Sequence, residues 1–388
     1  MFQYFPGNYM WSLAVNRALA SGGMLGEIDW ACSELRAVAA EGVSASNEDW
    51  HRAWLKLSDQ VEGIAREGAD AEREVTARDH FMRAALYQQW AEAFLKPDDS
   101  RSIPLFKRHL ASFAAGASRF RPAMEIVDIP FDGATLYGYF VAGQGAGALP
   151  TVVLSDGLDG TKEEMIYVAL ALAARGISTL AIDHPGQGAT LRLSGLKARH
   201  DSEVAAAAAV DYLHTRADVD AARLGIVAAS MGGYYAPRAA AYERRFKACV
   251  AWGAVYDYHA VWARRFKAEP GRPIALDTRA AMGTTGDHIL NILGAADFDD
   301  ALHRLEPFHL REAAADIRCP ILIVHGEDDQ QTPLADAQRL FDAIGSHDKT
   351  LRVFTRFEGG AAHVQLDRPE PALSLLSDWL VDRLVAAK

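Results

Sequence analysis

The sequence predicts an α/β chain: a mostly parallel sheet with helices on both faces, an N-terminal helical domain before it and an insertion late in the sheet. Three observations lead there. Up to about residue 120 the apolar residues recur only at helical spacing. Beyond Arg121-Pro122, short apolar runs alternate with helical stretches, the pattern of strands buried on both sides. One interval, Ala254 to Arg318, then separates two strands by far more chain than a single crossover helix needs.

In the first segment Trp50, Trp54, Leu57, Val61 and Ile64 form one stripe, with Ser46 as N-cap and Asp49 three residues on. Met82, Leu86, Trp90, Ala93 and Phe94 form a second, ended by the Pro97–Ser100 stretch PDDS. Five of the eight tryptophans fall in the first 90 residues. They read as core of a small helical bundle, and the same aromatic weight suggests a flat or apolar substrate. MEIVDIPFDGATLYGYFVA then reads as a hairpin turning at Asp132-Gly133. The runs TVVLS, ISTLAID, RLGIVAAS, KACVAWGAV, PILIVHG and LRVFTRF are expected as strands. Helices are expected at Lys162–Arg175, over DSEVAAAAAVDYLHTR, after Ser230, after Pro333 and from about Pro371 to Val385. Domains follow at 1–121 (helical cap) and 122–388 (catalytic), with a lid insertion at about 257–318 that carries Tyr256, Tyr258, Trp262, Phe266 and Phe298.

The 388 residues carry 40 Lys+Arg against 51 Asp+Glu, a net charge of −11 with no basic tract, which argues against nucleic acid as a partner. Cys32, Cys249 and Cys319 lie too far apart for a CxxC pair or a disulfide framework. The N-terminus lacks the basic start and apolar core of a signal peptide, and no run is long enough for a membrane span. A soluble, cytoplasmic protein acting on a small molecule is expected, with no membrane partner and with a homodimer admitted.

The chemistry concentrates at Val227-Ala228-Ala229-Ser230-Met231-Gly232-Gly233, where a strand runs into a helix. A serine among small residues at such a turn fits a nucleophile elbow, although Ala228 stands where the G-x-S-x-G pattern has glycine. A serine hydroxyl needs a base, and the base an orienting acid. Asp329, in Gly326-Glu327-Asp328-Asp329, and His363, in GGAAHVQ, follow later strands in the order Ser, acid, His. Backbone N–H groups of Met231 and of Leu158, in Ser155-Asp156-Gly157-Leu158-Asp159-Gly160, are the candidate oxyanion hole. Asp159 beside it is either an auxiliary acid or a solvated loop residue. Gly160-Thr161-Lys162 lacks the phosphate-loop spacing, and Gly186-Gln187-Gly188 is not G-x-G-x-x-G. No HExxH or histidine ligand spacing is present, so neither metal nor cofactor is expected. His184 and His325, at strand ends, read as structural hydrogen-bonding residues.

On these residues the C-terminal two-thirds resembles the α/β-hydrolase superfamily. Within it the whole chain is similar to the 2,6-dihydroxypseudooxynicotine hydrolase group of carbon–carbon bond hydrolases, and to the related fungal polyketide-shortening and FrsA-like enzymes. The segments that carry the likeness are Gly157–Glu164 (GLDGTKEE), Asp183–Gly188 (DHPGQG), Ser230–Ala241 (SMGGYYAPRAAA), Lys247–Tyr258, HGEDD and the His363 turn. The resemblance implies an α/β-hydrolase fold in which a helical segment helps cover the site. It also implies Ser230 as nucleophile, Asp329 as acid, His363 as base, and Asp159 at the place of a glutamate near the reaction centre. The implied activity is cleavage of a carbon–carbon bond next to a carbonyl in an aromatic or polyketide-like ketone. Hydrolysis of an apolar ester or thioester is the alternative, and a non-catalytic hydrolase-fold binding protein a third reading.

Overall fold

The structure, a computed structural model, describes residues 1–41, 45–267 and 276–386. Its contacts divide the chain into two units: Phe2–Glu125 with Arg279–His288, and Ile126–Thr278 with Ile289–Lys388 and Met1.

The first unit is helical, with helices Tyr9–Ala20, Leu25–Cys32, Arg36–Ala39, Asn47–Asp70, Glu74–Glu92 and Ser102–Ala117. Ser46 Oγ accepts from Asp49 N–H at 3.2 Å and caps the longest of them. On that helix Trp50, Trp54, Leu57 and Val61 are buried, but Ile64 is exposed, and the interior stripe continues through Ala65 and Gly68 instead. Trp11, Trp50, Trp54 and Trp90 pack into one core, with Trp11 and Trp50 rings 5.0 Å apart. The aromatic weight of this segment is therefore spent on its own packing and does not argue for a flat substrate; of the five tryptophans only Trp30 is exposed. Arg279–His288 joins this unit through Asn47 Nδ2 donating to Thr284 Oγ1 (2.7 Å) and His288 Nε2 meeting the Leu95 carbonyl (2.9 Å).

The second unit holds an eight-stranded sheet: β1 Glu125–Phe131, β2 Ala134–Val141, β3 Leu149–Ser155, β4 Ser178–Ile182, β5 Val219–Ala229, β6 Phe246–Trp252, β7 Ile321–Gly326 and β8 Lys349–Phe354, in the order β1-β2-β4-β3-β5-β6-β7-β8. The β1–β2 turn falls at Asp132-Gly133, both with positive φ (49° and 74°), as a two-residue hairpin loop demands. β2 meets β4 antiparallel, and every pairing from β4 to β8 is parallel. The central strands are buried through their C-terminal parts, with Val152, Leu154, Leu180, Ile226, Val227 and Val250 inaccessible or nearly so. Parallel pairing brings the C-terminal ends of β3 to β8, and the loops that follow them, to one edge, where sheets of this kind bind ligands.

Three element boundaries differ from expectation. Residues 162–165 are turns and the helix runs Ile166–Ala173, because Lys162 is committed elsewhere, as shown below. β8 stops at Phe354, leaving Phe357 wholly exposed in a turn. The last α-helix is Pro369–Leu380, and Val381–Val385 winds on as a π-turn. Of the insertion expected at 257–318, residues 268–275 lie outside the described residues. The rest includes helices Tyr258–Arg265, Leu276–Leu293 and Phe298–Leu305. Its two ends are tied by Tyr258 N–H to the Phe308 carbonyl and Leu310 N–H to the Tyr256 carbonyl, both 2.9 Å. Of its aromatics Tyr256 is half-buried and the other four are interior: the Phe266 and Phe298 rings stack at 4.6 Å, and Trp262 and Phe266 are fully buried.

Candidate active site

Ser230 sits between β5 and helix Gly232–Tyr242 with φ 59°, in the left-handed region that a non-glycine residue avoids unless its surroundings hold it there. What holds it is close backbone approach. Ser230 N–H donates to the Trp252 carbonyl at 2.7 Å, and Gly233 N–H to the Ser230 carbonyl at 2.7 Å. A Cβ on Gly232 would lie 2.5 Å from the Ala228 methyl, and one on Gly233 would lie 2.2 Å from the Gly253 carbonyl oxygen. Ala228 is thus tolerated where the pattern has glycine, because Gly232 leaves its methyl the room.

The three residues singled out by order along the chain come together in space. His363 Nε2 is 2.8 Å from Ser230 Oγ, and His363 Nδ1 is 2.7 Å from Asp329 Oδ2. The second oxygen, Asp329 Oδ1, accepts from Gln331 N–H (2.7 Å) and Thr332 N–H (2.9 Å), which fixes the carboxylate plane. Burial opposes the Asp329 charge, but the His363 ring and these donors outweigh it and keep the carboxyl below its usual value. Asp328 instead turns outward to Arg356. His325, fully buried, contacts the Thr332 carbonyl through Nε2 at 3.1 Å and stands 3.7 Å from Asp329; burial lowers its pKa.

The loop that presents His363 is held by a residue the sequence pattern did not single out. Asp367 accepts three successive backbone N–H groups, Gly360 (2.8 Å), Ala361 (3.2 Å) and Ala362 (2.9 Å). Just past the histidine, Val364 and Gln365 take positive φ (43° and 54°), and Gln365 Oε1 accepts from Trp252 Nε1 at 2.5 Å. Gly326 lets this loop approach β7, since a Cβ there would lie 2.3 Å from the Ala361 carbonyl oxygen.

On the other side of Ser230 the loop after β3 passes so close that a Cβ on Gly157 would lie 2.6 Å from Ser230 Cβ. Neither Leu158 N–H nor Met231 N–H enters a backbone turn or loop hydrogen bond among the described residues. Leu158 is half-buried, Met231 buried, and Asp159 exposed, where its charge adds to the upward shift that burial gives Tyr258, to about 12. His184, by contrast with its expected role, makes no ring hydrogen bond among the described residues. It is fully buried, stacked on Tyr235 at 4.9 Å, and burial lowers its pKa to about 4.

Among the described residues there is no group of His, Cys, Asp or Glu arranged to hold a metal ion, and no helix is long and apolar enough to cross a membrane.

Comparison with known proteins adds the following. Residues 43–283 match the family model described as esterase FrsA-like, and residues 308–358 match that of serine aminopeptidase S33. The hydrolase acrC of Aspergillus aculeatus is 28% identical, with 94% of each chain covered. The 2,6-dihydropseudooxynicotine hydrolase of Paenarthrobacter nicotinovorans is 26% identical, over 87% of this chain and 86% of its own. The crystal structure of 2,6-dihydroxy-pseudo-oxynicotine hydrolase superposes with a TM-score of 0.80 at 24% identity, covering 96% of this chain and 97% of that one.

Proposed function

The chain belongs to the FrsA-like esterase family, and from that premise we propose that it is a serine hydrolase cleaving a carbon–carbon bond next to a carbonyl in a small aromatic or polyketide-like ketone. The observation that carries the reading is the continuous chain Ser230 Oγ, His363, Asp329 at 2.8 and 2.7 Å, with the serine held at a strained turn. Ser230 Oγ bonds to the substrate carbonyl carbon while its proton passes to His363 Nε2, with Asp329 supporting the imidazolium. The carbonyl oxygen takes the negative charge, facing the N–H groups of Leu158 and Met231. As the tetrahedral species collapses, the carbon–carbon bond breaks and the leaving carbon accepts the proton from His363, with Asp159 as auxiliary acid and the leaving group's own ring or ketone spreading the charge. Water, deprotonated by His363, then releases the acyl group from Ser230 as a carboxylic acid.

Hydrolysis of an apolar ester is the second reading, favoured by the esterase family match. It uses the same residues, and differs in that the leaving alkoxide needs only the imidazolium proton. A fluorophosphonate probe labels the wild-type protein and not Ser230→Ala; labelling that persists in the variant sinks both readings. Comparing turnover of an aryl 1,3-diketone with that of a short p-nitrophenyl ester separates the two.

A further inference from the structure

The turn after β4, Asp183-His184-Pro185-Gly186-Gln187-Gly188, carries part of the family likeness but has no role in the proposed chemistry. Gln187 is buried and its amide is fully engaged. Nε2 donates to the Asp156 carbonyl at 2.6 Å and to the Gly157 carbonyl, and Oε1 accepts from His184 N–H at 2.9 Å. The second contact matters most. The Gly157 carbonyl and the Leu158 N–H belong to one peptide unit. That unit is planar and trans, so its C=O and N–H point in opposite directions. Binding the carbonyl from one side dictates where the N–H points on the other. Rotation of this peptide would have to break the Gln187 bond inside a buried site, where an unmet carbonyl and amide are expensive. The adjacent Gly157 Cα is also the atom packed against Ser230, so the fixed peptide lies beside the nucleophile.

The same turn grips the far end of the loop. Lys162 N–H donates to Asp183 Oδ1 at 2.7 Å and its ammonium to Oδ2 at 2.9 Å, and the ammonium also meets Glu163 at 2.8 Å. Burial opposes the Lys162 charge, but the two carboxylates outweigh it and raise its pKa. Gly188, φ 41°, lets the turn close on its own acid, since a Cβ there would lie 2.2 Å from Asp183 Oδ2. Residues 156 to 162 are thus strung between two anchors on one turn, with Leu158 between them.

We propose that Gln187 is the positioning residue of the oxyanion hole: by holding the Gly157 carbonyl it aims the Leu158 N–H at the charge that develops on the substrate carbonyl oxygen. The proposal rests on Ser230 being the nucleophile. Gln187 touches no reacting atom; it acts through the peptide between Gly157 and Leu158. Because an oxyanion donor acts on the transition state and not on ground-state binding, its loss appears in the rate of bond formation and spares affinity.

The test uses the full chain and the rate of Ser230 phosphonylation by a fluorophosphonate, resolved into kinact and KI. Gln187→Met keeps length and removes the donor; Gln187→Glu keeps the acceptor for His184 N–H and donates only when protonated. Both are expected to lower kinact by about 10–100-fold with KI unchanged. The Gln187→Glu rate, divided by the wild-type rate at each pH, is expected to rise as pH falls and the carboxyl gains a proton to donate to the Gly157 carbonyl. A lowered melting temperature with unchanged kinact, or equal effects on kinact and KI, overturns the proposal. Should Gln187→Met fail to fold, the pH course of Gln187→Glu decides alone, a flat ratio being the overturning result. Labelling that survives Ser230→Ala overturns this proposal together with the nucleophile assignment; labelling lost in Ser230→Ala with normal kinact in both Gln187 variants overturns this one only.

Discussion

The two loops that flank Ser230 are held by opposite means. In the histidine loop an acceptor does the holding: Asp367 takes the N–H groups of Gly360, Ala361 and Ala362, and Asp329 takes those of Gln331 and Thr332 in the neighbouring acid turn. In the loop after β3 a donor does it: Gln187 takes the carbonyls of Asp156 and Gly157. The difference teaches what each loop presents. Where the N–H groups are consumed, the backbone is a mount and the working part is a side chain, His363. Where the carbonyls are consumed, the Leu158 N–H is left over, its neighbour Gly157 N–H being taken by Asp156 Oδ1 at 2.6 Å, and the backbone itself is the working part. Bonding a polar segment from one side is a way of choosing its chemistry on the other.

The largest break in this scheme comes from turning an acceptor into a donor at the acid. Asp329→Asn can still offer one oxygen to Gln331 and Thr332, but its amide then faces His363 Nδ1 with N–H. That stabilises the imidazole tautomer with its proton on Nε2, which cannot accept the proton of Ser230. Turnover of an activated ester is expected to fall about 10⁴-fold with little change in melting temperature. A loss below tenfold would show that His363 takes its tautomer from elsewhere.

How much of this was legible in the sequence follows from how far each signal reaches. β3, β5 and β7 announce themselves as apolar runs because they are buried on both sides, and Ser230, Asp329 and His363 stand out because Ser230 immediately follows β5 while Asp329 and His363 lie in the loops after β7 and β8, in the order Ser, acid, His. Local composition places Lys162 at the start of a helix. Its N–H and ammonium instead bond Asp183, 21 residues on, and the helix starts only at Ile166. Gln187 lies 30 residues from the carbonyl it holds, inside a Gly-Gln-Gly run that does not match G-x-G-x-x-G, and no periodicity encodes such a contact. Asp367 is close in sequence to the groups it binds, and a carboxylate soon after the Gly359-Gly360 pair is a local signal for such a loop. The assignment of Arg279–His288 to the helical unit had no local signature at all, since it is a matter of which unit a helix packs with.

A second way to sharpen the contrast is acid. His184 precedes Pro185 in the turn that carries Gln187, fully buried, its ring nitrogens without partners among the described residues. Its pKa falls from 6.5 to about 4 on burial. The unfolded chain therefore binds the proton first as pH drops. This histidine leaves stability untouched above about pH 6.5 and reduces it as pH falls toward 4, by on the order of 3 kcal/mol for a shift of that size. His184→Phe keeps a ring against Tyr235 and removes the titration. Urea denaturation at pH 7 and pH 4.5 should show a smaller loss of stability in the variant than in wild type. Equal losses would mean that other groups carry the acid sensitivity, and that the donor-held loop is no more acid-labile than the acceptor-held one.

The smallest effect is expected where the mount has redundancy. Asp367→Asn keeps one oxygen and places an amide N–H₂ against one of the N–H groups its carboxylate now accepts. Oδ2 serves Gly360 and Ala361 while Oδ1 serves Ala362, so either orientation of the amide leaves at least one of the three without an acceptor. A buried donor left unmet costs about 1–3 kcal/mol, which sets the expected loss in urea denaturation. The effect on turnover should be milder than that of Asp329→Asn, about tenfold. Gln365 still holds Trp252, and the Ala361 carbonyl still accepts from Asp328 N–H at 2.9 Å, so His363 keeps two of its tethers. If Asp367→Asn instead abolishes activity while the protein stays folded, the three N–H bonds set the ring's reach to Ser230 directly. Acceptor-held and donor-held loops would then be equally intolerant of a single lost bond.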